Sequence, residues 1–344
     1  MTSSLTKPVL SAGRRRHRLG ALACVAAALA AAPLAAAPFA GAAAAAQAAV
    51  RPAAAGSLPV WSGYISSADG VRLWVDSVGG GAPGAKVVVL VHGGPGLSLT
   101  YLRIFDLLAS PARQIVSYDQ RGSGRSTAPA DGDFGIGAQV SDLDAVRAWT
   151  GARQITVIGH SWGGYLAAAY TALHPSSVAA LGLIDALPPD VNAAVTGEEL
   201  LGGRISQLQG QGFIPDPLPP VTGNSCLADD EALTPAYLAS PQEPVSPLVV
   251  WGSSCTESTA TAATDAYVSD SAGFPALVAA LGQWQGDALV MQGAEDPFGL
   301  GWSSTSVAEL SSAQTQLVIV PGAGHFPWIE QPGLVLQAVA QFIG

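Results

Sequence analysis

The feature that most constrains this chain is the pentapeptide Gly159-His-Ser-Trp-Gly163. It stands between a short β-branched run, Ile155-Thr-Val-Ile158, and an alanine-rich stretch from Tyr165 to Tyr170. A serine flanked by small residues, between a buried strand and a helix, reads as a tight turn that lifts its hydroxyl clear of the backbone. Such a turn needs a sheet whose strands end in loops on one side. The neighbouring segments supply it. Val71–Val75 and Lys86–Val91 predict strands, the second apolar enough to be covered on both faces. A helical stretch over 101–109, a strand over 114–118, a helix over about 137–150, the strand 155–158 and a strand over 178–184 follow. Strand and helix alternate, which predicts an α/β fold with a mostly parallel central sheet and helices on both faces.

The rhythm breaks at Pro188-Pro189. It resumes near Phe274 with a helix, a strand over 288–291, a helix around Val307, a strand over 316–320 and a closing helix from about Gly333. The core is therefore expected over 59–186 and 273–344, with residues 187–272 inserted. The insertion holds ten prolines, eleven acidic residues and one basic residue, Arg204. It is expected to form a cap, because ligands of open α/β sheets bind outside the carboxyl ends of the strands.

Residues 1–49 read as a secretory signal peptide. Arg14, Arg15, Arg16 and Arg18 precede an apolar run from Leu19 to about Leu34, with small-residue cleavage sites near Ala44–Ala49. A membrane anchor is the alternative, against an alanine-dominated run broken by Pro33 and Pro38. The paired arginines allow a twin-arginine route and Cys24 a lipoprotein route, although few apolar residues separate Arg18 from Cys24. Residues 50–58 read as an Ala/Pro-rich connector. Without residues 1–49 the chain keeps ten basic and twenty-five acidic residues, a net charge of −15. That charge argues against nucleic-acid partners and stable association with anionic membranes, and favours neutral or cationic substrates. Export to an oxidising compartment makes a Cys226–Cys255 disulfide the expectation, contributing about 3 kcal/mol; two buried thiols are the alternative.

Ser161 needs a base, and in the chain order of such turns the base follows the nucleophile. Five histidines are present. His17 lies in the leader, His92 and His160 precede Ser161, and His174 ends a helix before Pro175. His325, in the loop Pro321-Gly-Ala-Gly-His-Phe-Pro327 after the last strand, is the candidate. Asp296, in Gly293-Ala-Glu-Asp-Pro297 after the preceding strand, is the expected acid; Asp185 and the adjacent Glu295 are alternatives. Backbone N–H groups of Trp162 and of Gly94, in the turn His92-Gly-Gly-Pro-Gly96, are expected to hold an oxyanion. This chemistry requires no metal or cofactor.

Taken together, His92-Gly-Gly-Pro-Gly96, Asp119-Gln-Arg-Gly-Ser-Gly-Arg-Ser126 and Gly159-His-Ser-Trp-Gly-Gly164 resemble the proline iminopeptidase family of α/β-hydrolases over about 60–186 and 274–344. The resemblance implies a serine hydrolase that removes an N-terminal residue, often proline, through an acyl-enzyme, with acidic cap residues holding the free amine. Glu198, Glu199 and Glu231, with Asp229 and Asp230, are the acids the cap offers; a solvated acidic surface is the other reading of them. The family's own aromatic-and-glutamate cap segment has no counterpart here. A small peptide is the expected substrate, and an ester, cleaved by a carboxylesterase or lactonase with the same triad, is the alternative. The Asp119–Ser126 turn is expected to brace the oxyanion loop.

Overall fold

A computed structural model describes residues 57–344; the leader and most of the connector lie outside the described residues. Eight strands form one sheet: β1 (Val60–Ser66), β2 (Arg72–Gly79), β3 (Lys86–Val91), β4 (Arg113–Tyr118), β5 (Ile155–His160), β6 (Val178–Ile184), β7 (Asp287–Gly293) and β8 (Gln314–Val320). Their spatial order is β1-β2-β4-β3-β5-β6-β7-β8. Pairings from β4 through β8 are parallel, while β1 and β2 form an antiparallel extension on β4. The sequence predicts β2 but not β1, whose Val60, Trp61 and Tyr64 are exposed. Pairing with β2 and a 4.5 Å ring contact between Trp61 and Trp149 hold that strand instead of burial.

Residues of β3 alternate between two cores. Val87, Val89 and Val91 pack on one face and Val88 and Leu90 on the other, as the two-residue side-chain period of a strand requires. The helices, in chain order, are α1 (Ile136–Thr150), α2 (Trp162–Leu173), α3 (Val191–Gly210), α4 (Leu227–Ala232), α5 (Thr234–Tyr237), α6 (Pro247–Trp251), α7 (Glu257–Asp270), α8 (Phe274–Leu281), α9 (Gly301–Glu309), α10 (Pro327–Glu330) and α11 (Pro332–Ile343). One face of the sheet is covered by α1, α2 and α8 through Leu143, Tyr165 and Leu277. The other is covered by α11 and the 3-10 helix Leu99–Leu108 through Val335, Val339 and Phe105.

Helices α3 to α7 lie between β6 and β7 in the chain. Leu201 and Ile205 of α3 build a separate small core with Phe298 and Trp302. Arg204, the one base of the inserted segment, spends its guanidinium on the carbonyls of Ala236 (2.8 Å) and Leu238 (2.6 Å). Cys226 and Cys255 are joined by a disulfide, with Cα atoms 5.2 Å apart. The next residue, Thr256, donates its N–H to the Gly96 carbonyl (2.9 Å), and Thr259 donates to the Gly122 carbonyl (2.8 Å). The inserted segment is thus tied to both turns beside the sheet's carboxyl ends.

The Asp119–Ser126 turn is a buried brace. Asp119 accepts from the N–H groups of Leu99 (2.8 Å) and Arg125 (2.9 Å). Arg121, fully buried, grips Asp142 with two hydrogen bonds (2.7 and 2.8 Å) and reaches Asp69 and two carbonyls.

Glu309, at the end of α9, is buried, and burial followed by the nearby Asp190 charge pushes its carboxyl up to about 8. Asp190 caps α3, accepting from the Ala193 N–H at 2.8 Å. A carboxyl whose folded pKa is raised keeps its proton up to about pH 8, whereas the unfolded chain releases it near 4.5. Folding is therefore favoured below the unfolded value, and that advantage is lost as pH rises through the folded one. Glu309→Gln is expected to stabilise the protein progressively between pH 5 and 8, reaching about 2–4 kcal/mol at pH 8. Urea unfolding of both proteins across that range checks it; parallel stability curves would contradict it.

Candidate active site

Ser161 occupies the turn between β5 and α2 with φ 53° and ψ −122°, a left-handed conformation that a non-glycine residue adopts only under strain. Its N–H donates to the Ile184 carbonyl (3.1 Å), and its own carbonyl accepts from Gly164 (2.9 Å) and Leu187 (3.0 Å). The turn closes because its flanks lack side chains. A Cβ on Gly159 would strike the Gly163 carbonyl, and one on Gly163 would strike the carbonyls of Val91 and His92. Trp162 opens α2 at the N-terminal end, where helix N–H groups have no acceptor inside the helix.

The turn after β3 comes up beside it. A Cβ on Gly93 would lie 2.9 Å from the Ser161 Cβ. Gly94, at φ +122°, adopts a backbone conformation that only glycine takes without cost. The Gly93 N–H donates to the Tyr101 hydroxyl. Tyr101 in turn meets His160 Nδ1 at 2.9 Å, and His160 Nε2 meets the His325 carbonyl at 2.9 Å. Burial, with His325 adjacent, holds His160 well below the usual imidazole range. A neutral His160 with its proton on Nε2 then donates to His325 O and accepts from Tyr101. This chain of bonds ties the β3 turn, the serine turn and the histidine loop together. His92 is also neutral, lowered to about 4 by burial. It accepts from the Gln120 N–H (3.0 Å) and faces the Gly93 carbonyl (2.8 Å). No sequence motif marks Tyr101; only the fold brings it to this position.

His325, 2% exposed, meets Asp296 through Nδ1 at 3.2 and 3.3 Å to the two carboxylate oxygens. Asp296 also accepts from Gln292 Nε2 (2.8 Å) and the Phe298 N–H (3.1 Å). Burial raises its carboxyl, but the His325 imidazole and hydrogen bonds from His325 and Gln292 outweigh that and hold it below the usual carboxylate range. Asp185, the alternative acid, is there as well. It is buried, sits at φ 44° and accepts from the Gly293 N–H at 2.8 Å. Polar atoms of Asp185, Asp296 and His325 lie within 4.8 Å of one another. Burial first, then the Asp296 charge, pushes the Asp185 carboxyl well above the usual range, the opposite direction to Asp296. These three groups lie close together; His325 Nδ1 meets Asp296, Asp185 Oδ1 accepts from the Gly293 N–H and Asp296 accepts from Gln292 and Phe298, while Asp185 Oδ2 is buried without a hydrogen-bond partner. Cys226, Cys255 and Asp230 form a second close group, where the disulfide removes both thiolates as ligands. Glu295 faces elsewhere and accepts from the Ala323 N–H (3.1 Å). His174 stacks on Tyr170 at the far end of α2.

Ser161, His325, Gly94 and Trp162 all line one cavity of about 280 Å³ beneath the inserted helices. Its walls are largely apolar and aromatic, including Trp251, Tyr267, Phe298 and Trp302. Its carboxylic acids are Glu198, Asp229 and Asp230. Two acids singled out from the sequence lie outside it. Glu199 is one step along α3 from Glu198, about 100° around the helix axis, and is exposed. Glu231 is likewise absent from the lining, where the preceding two residues of α4 stand.

Comparison with known proteins places this geometry in a wide setting. A Lactiplantibacillus plantarum protein named proline iminopeptidase is 39% identical over 104 residues, covering 30% of this chain and 36% of the relative. The match thus spans about a third of that relative's length. The solved proline iminopeptidase of Mycobacterium smegmatis superposes with a TM-score of 0.57 at 20% identity, covering 82% of this chain and 97% of the other. An esterase from Exiguobacterium antarcticum superposes with a TM-score of 0.59 at 20% identity, covering 81% and 98%. At such identities the two structures speak to fold alone. The family model for the alpha/beta hydrolase fold matches residues 86–332, which run from the start of β3 to the start of α11 and include the serine turn, the histidine loop and the inserted helices. With that match across most of its length, the chain belongs to the alpha/beta hydrolase fold family.

Proposed function

We propose that this protein is a secreted serine hydrolase, an aminopeptidase that releases an N-terminal proline or other small apolar residue from peptides. The observation that carries the reading is the strained Ser161 turn, lining the same cavity as a buried histidine that is bonded to a buried carboxylate. In the proposed mechanism His325 takes the Ser161 proton as the hydroxyl attacks the scissile carbonyl. Asp296 orients the imidazole and stabilises its charged form, and the N–H groups of Gly94 and Trp162 receive the developing oxyanion. His325 then gives its proton to the departing amine. Water repeats the sequence to free the acid.

The amine specificity rests on the cavity walls. A carboxylate in a largely apolar, partly desolvated pocket favours a protonated amine over a neutral group; Glu198, Asp229 and Asp230 are the carboxylic acids that line it. The relatives named proline iminopeptidase support the same choice. The arginine-led apolar leader supports export, and the Cys226–Cys255 bridge suits an oxidising compartment.

The test compares three substrates: proline p-nitroanilide, its N-acylated counterpart and a short p-nitrophenyl ester. An aminopeptidase is expected to cleave the first at least about a hundred times faster than the second, because blocking removes a desolvated ion pair. Preference for the ester, with indifference to the free amine, would assign the site to a carboxylesterase or lactonase instead.

A further inference from the structure

We infer that the site takes an extended peptide, whose departing portion runs for several residues along α3 away from the triad. This rests on the aminopeptidase reading above and sharpens its substrate class. Glu198, Leu201, Gly202, Ile205, Ser206 and Gln209 all line the cavity. Their spacing of 3, 4, 7, 8 and 11 residues from Glu198 is that of a single helix face. Eleven steps of about 1.5 Å give a wall about 16 Å long, and an extended chain advances about 3.3 Å per residue, so this wall matches about five residues. A site for a single residue would need only its first turn.

The wall has a direction. Its Glu198 end is at the triad: a Cβ on Gly197 would lie 2.5 Å from the Trp302 indole nitrogen. Trp302 stacks on Phe298 with ring centroids 4.2 Å apart, and Phe298 lies 4.8 Å from the His325 ring. The other two acids, Asp229 and Asp230, belong to α4, which follows Cys226; its disulfide partner Cys255 precedes the Thr256 that bonds Gly96 beside the serine. All three acids line the cavity that Ser161 and His325 line, with Glu198 at its catalytic end. The far end offers Ser206, Gln209 and Leu218, none of which ionises. A substrate ammonium is favoured close to the scissile bond, which leaves the acyl portion short and the long wall to the departing chain. Ser206 donates to the Gly202 carbonyl (2.9 Å) and Gln209 Nε2 to the Pro215 carbonyl (3.1 Å), which leaves their oxygens as acceptors that suit peptide N–H groups and not a hydrocarbon tail.

Free-amine peptides with one common N-terminal residue and two to six residues in all provide the test, measured as kcat/KM with the full chain. The value is expected to rise at least ten-fold from the dipeptide to the pentapeptide and then level off. Ser206→Trp is expected to bring the pentapeptide-to-dipeptide ratio close to one. Gln207→Trp, which puts the same bulky side chain at an exposed neighbour outside the lining, is expected to leave the ratio in place. A flat length series, or an unchanged ratio in Ser206→Trp, overturns the inference while leaving the aminopeptidase reading intact. Release of di- or tripeptides from the N-terminus would reverse the direction assigned to the wall and so overturn it too. Cleavage of esters with no peptide of any length accepted would remove both readings.

Discussion

Ser161→Ala is expected to lower kcat/KM by at least about ten-thousand-fold, the equivalent of about 5.5 kcal/mol of transition-state stabilisation, because without the hydroxyl no acyl-enzyme forms. The residual rate should come from the oxyanion donors and the cavity alone. Stability should move in a different way. Ser161 holds φ 53° and ψ −122° at the end of β5, with its N–H and carbonyl both bonded to neighbouring backbone. Alanine inherits the same strain, so Ser161→Ala should unfold within about 1 kcal/mol of the parent. Glycine does not inherit it. Ser161→Gly is expected to be about 1 kcal/mol more stable than Ser161→Ala in urea, after its larger unfolded-chain entropy is counted. Steady-state kinetics and unfolding on the same three proteins check both halves. Retention of more than about a thousandth of the parental rate in Ser161→Ala would remove Ser161 from the nucleophile's role.

How much of this could be read from the chain depends on whether a feature is local. The serine turn is local: a buried β-branched run, glycines where a Cβ cannot fit and an alanine-rich helix lie within twenty residues, and the parallel sheet follows from their repetition. Strand β1 is not legible, because its apolar residues face solvent and its stability comes from pairing with β2 and from Trp61 resting on Trp149. Helix α1 is predicted from Val140, Leu143 and Val146, yet it also buries Asp142, which no apolar period signals. Its partner, Arg121, comes from a turn 21 residues earlier. Chain order singles out His325 and Asp296 but leaves Asp185 as an alternative to Asp296. The structure makes the two acids neighbours instead, because β6 and β7 are adjacent parallel strands in which Ile184 pairs with Met291. Their following loops therefore leave the sheet at one level. The cap is least legible: choosing among Glu198, Glu199, Asp229, Asp230 and Glu231 requires knowing which face of α3 and of α4 turns inward.

That pairing of acids leads to a second large effect. Asp296→Asn removes the carboxylate that meets His325 Nδ1 and presents an amide in its place, a change that costs about ten-thousand-fold in a serine protease triad. Here the loss is expected to stop at about a hundred- to thousand-fold. The Asp185 pKa is raised because the group is buried and because Asp296 is charged beside it. Remove the second cause and the Asp185 pKa falls, so a carboxylate returns within reach of the same imidazole as pH rises. The activity of Asp296→Asn should therefore climb with pH more steeply than that of the parent. Asp185→Asn alone should cost less than about ten-fold. Its carbonyl oxygen can still accept from the Gly293 N–H that Asp185 Oδ1 now holds at 2.8 Å, and its amide presents a donor beside the Asp296 carboxylate. The double variant should lose at least about ten-fold more than Asp296→Asn, together with the added pH dependence. Rate profiles from pH 6 to 9 for the four proteins decide the matter. A double variant no slower than Asp296→Asn would mean that Asp185 only shapes the loop after β6. A slower one with a flat profile would mean that two buried carboxyls serve this histidine.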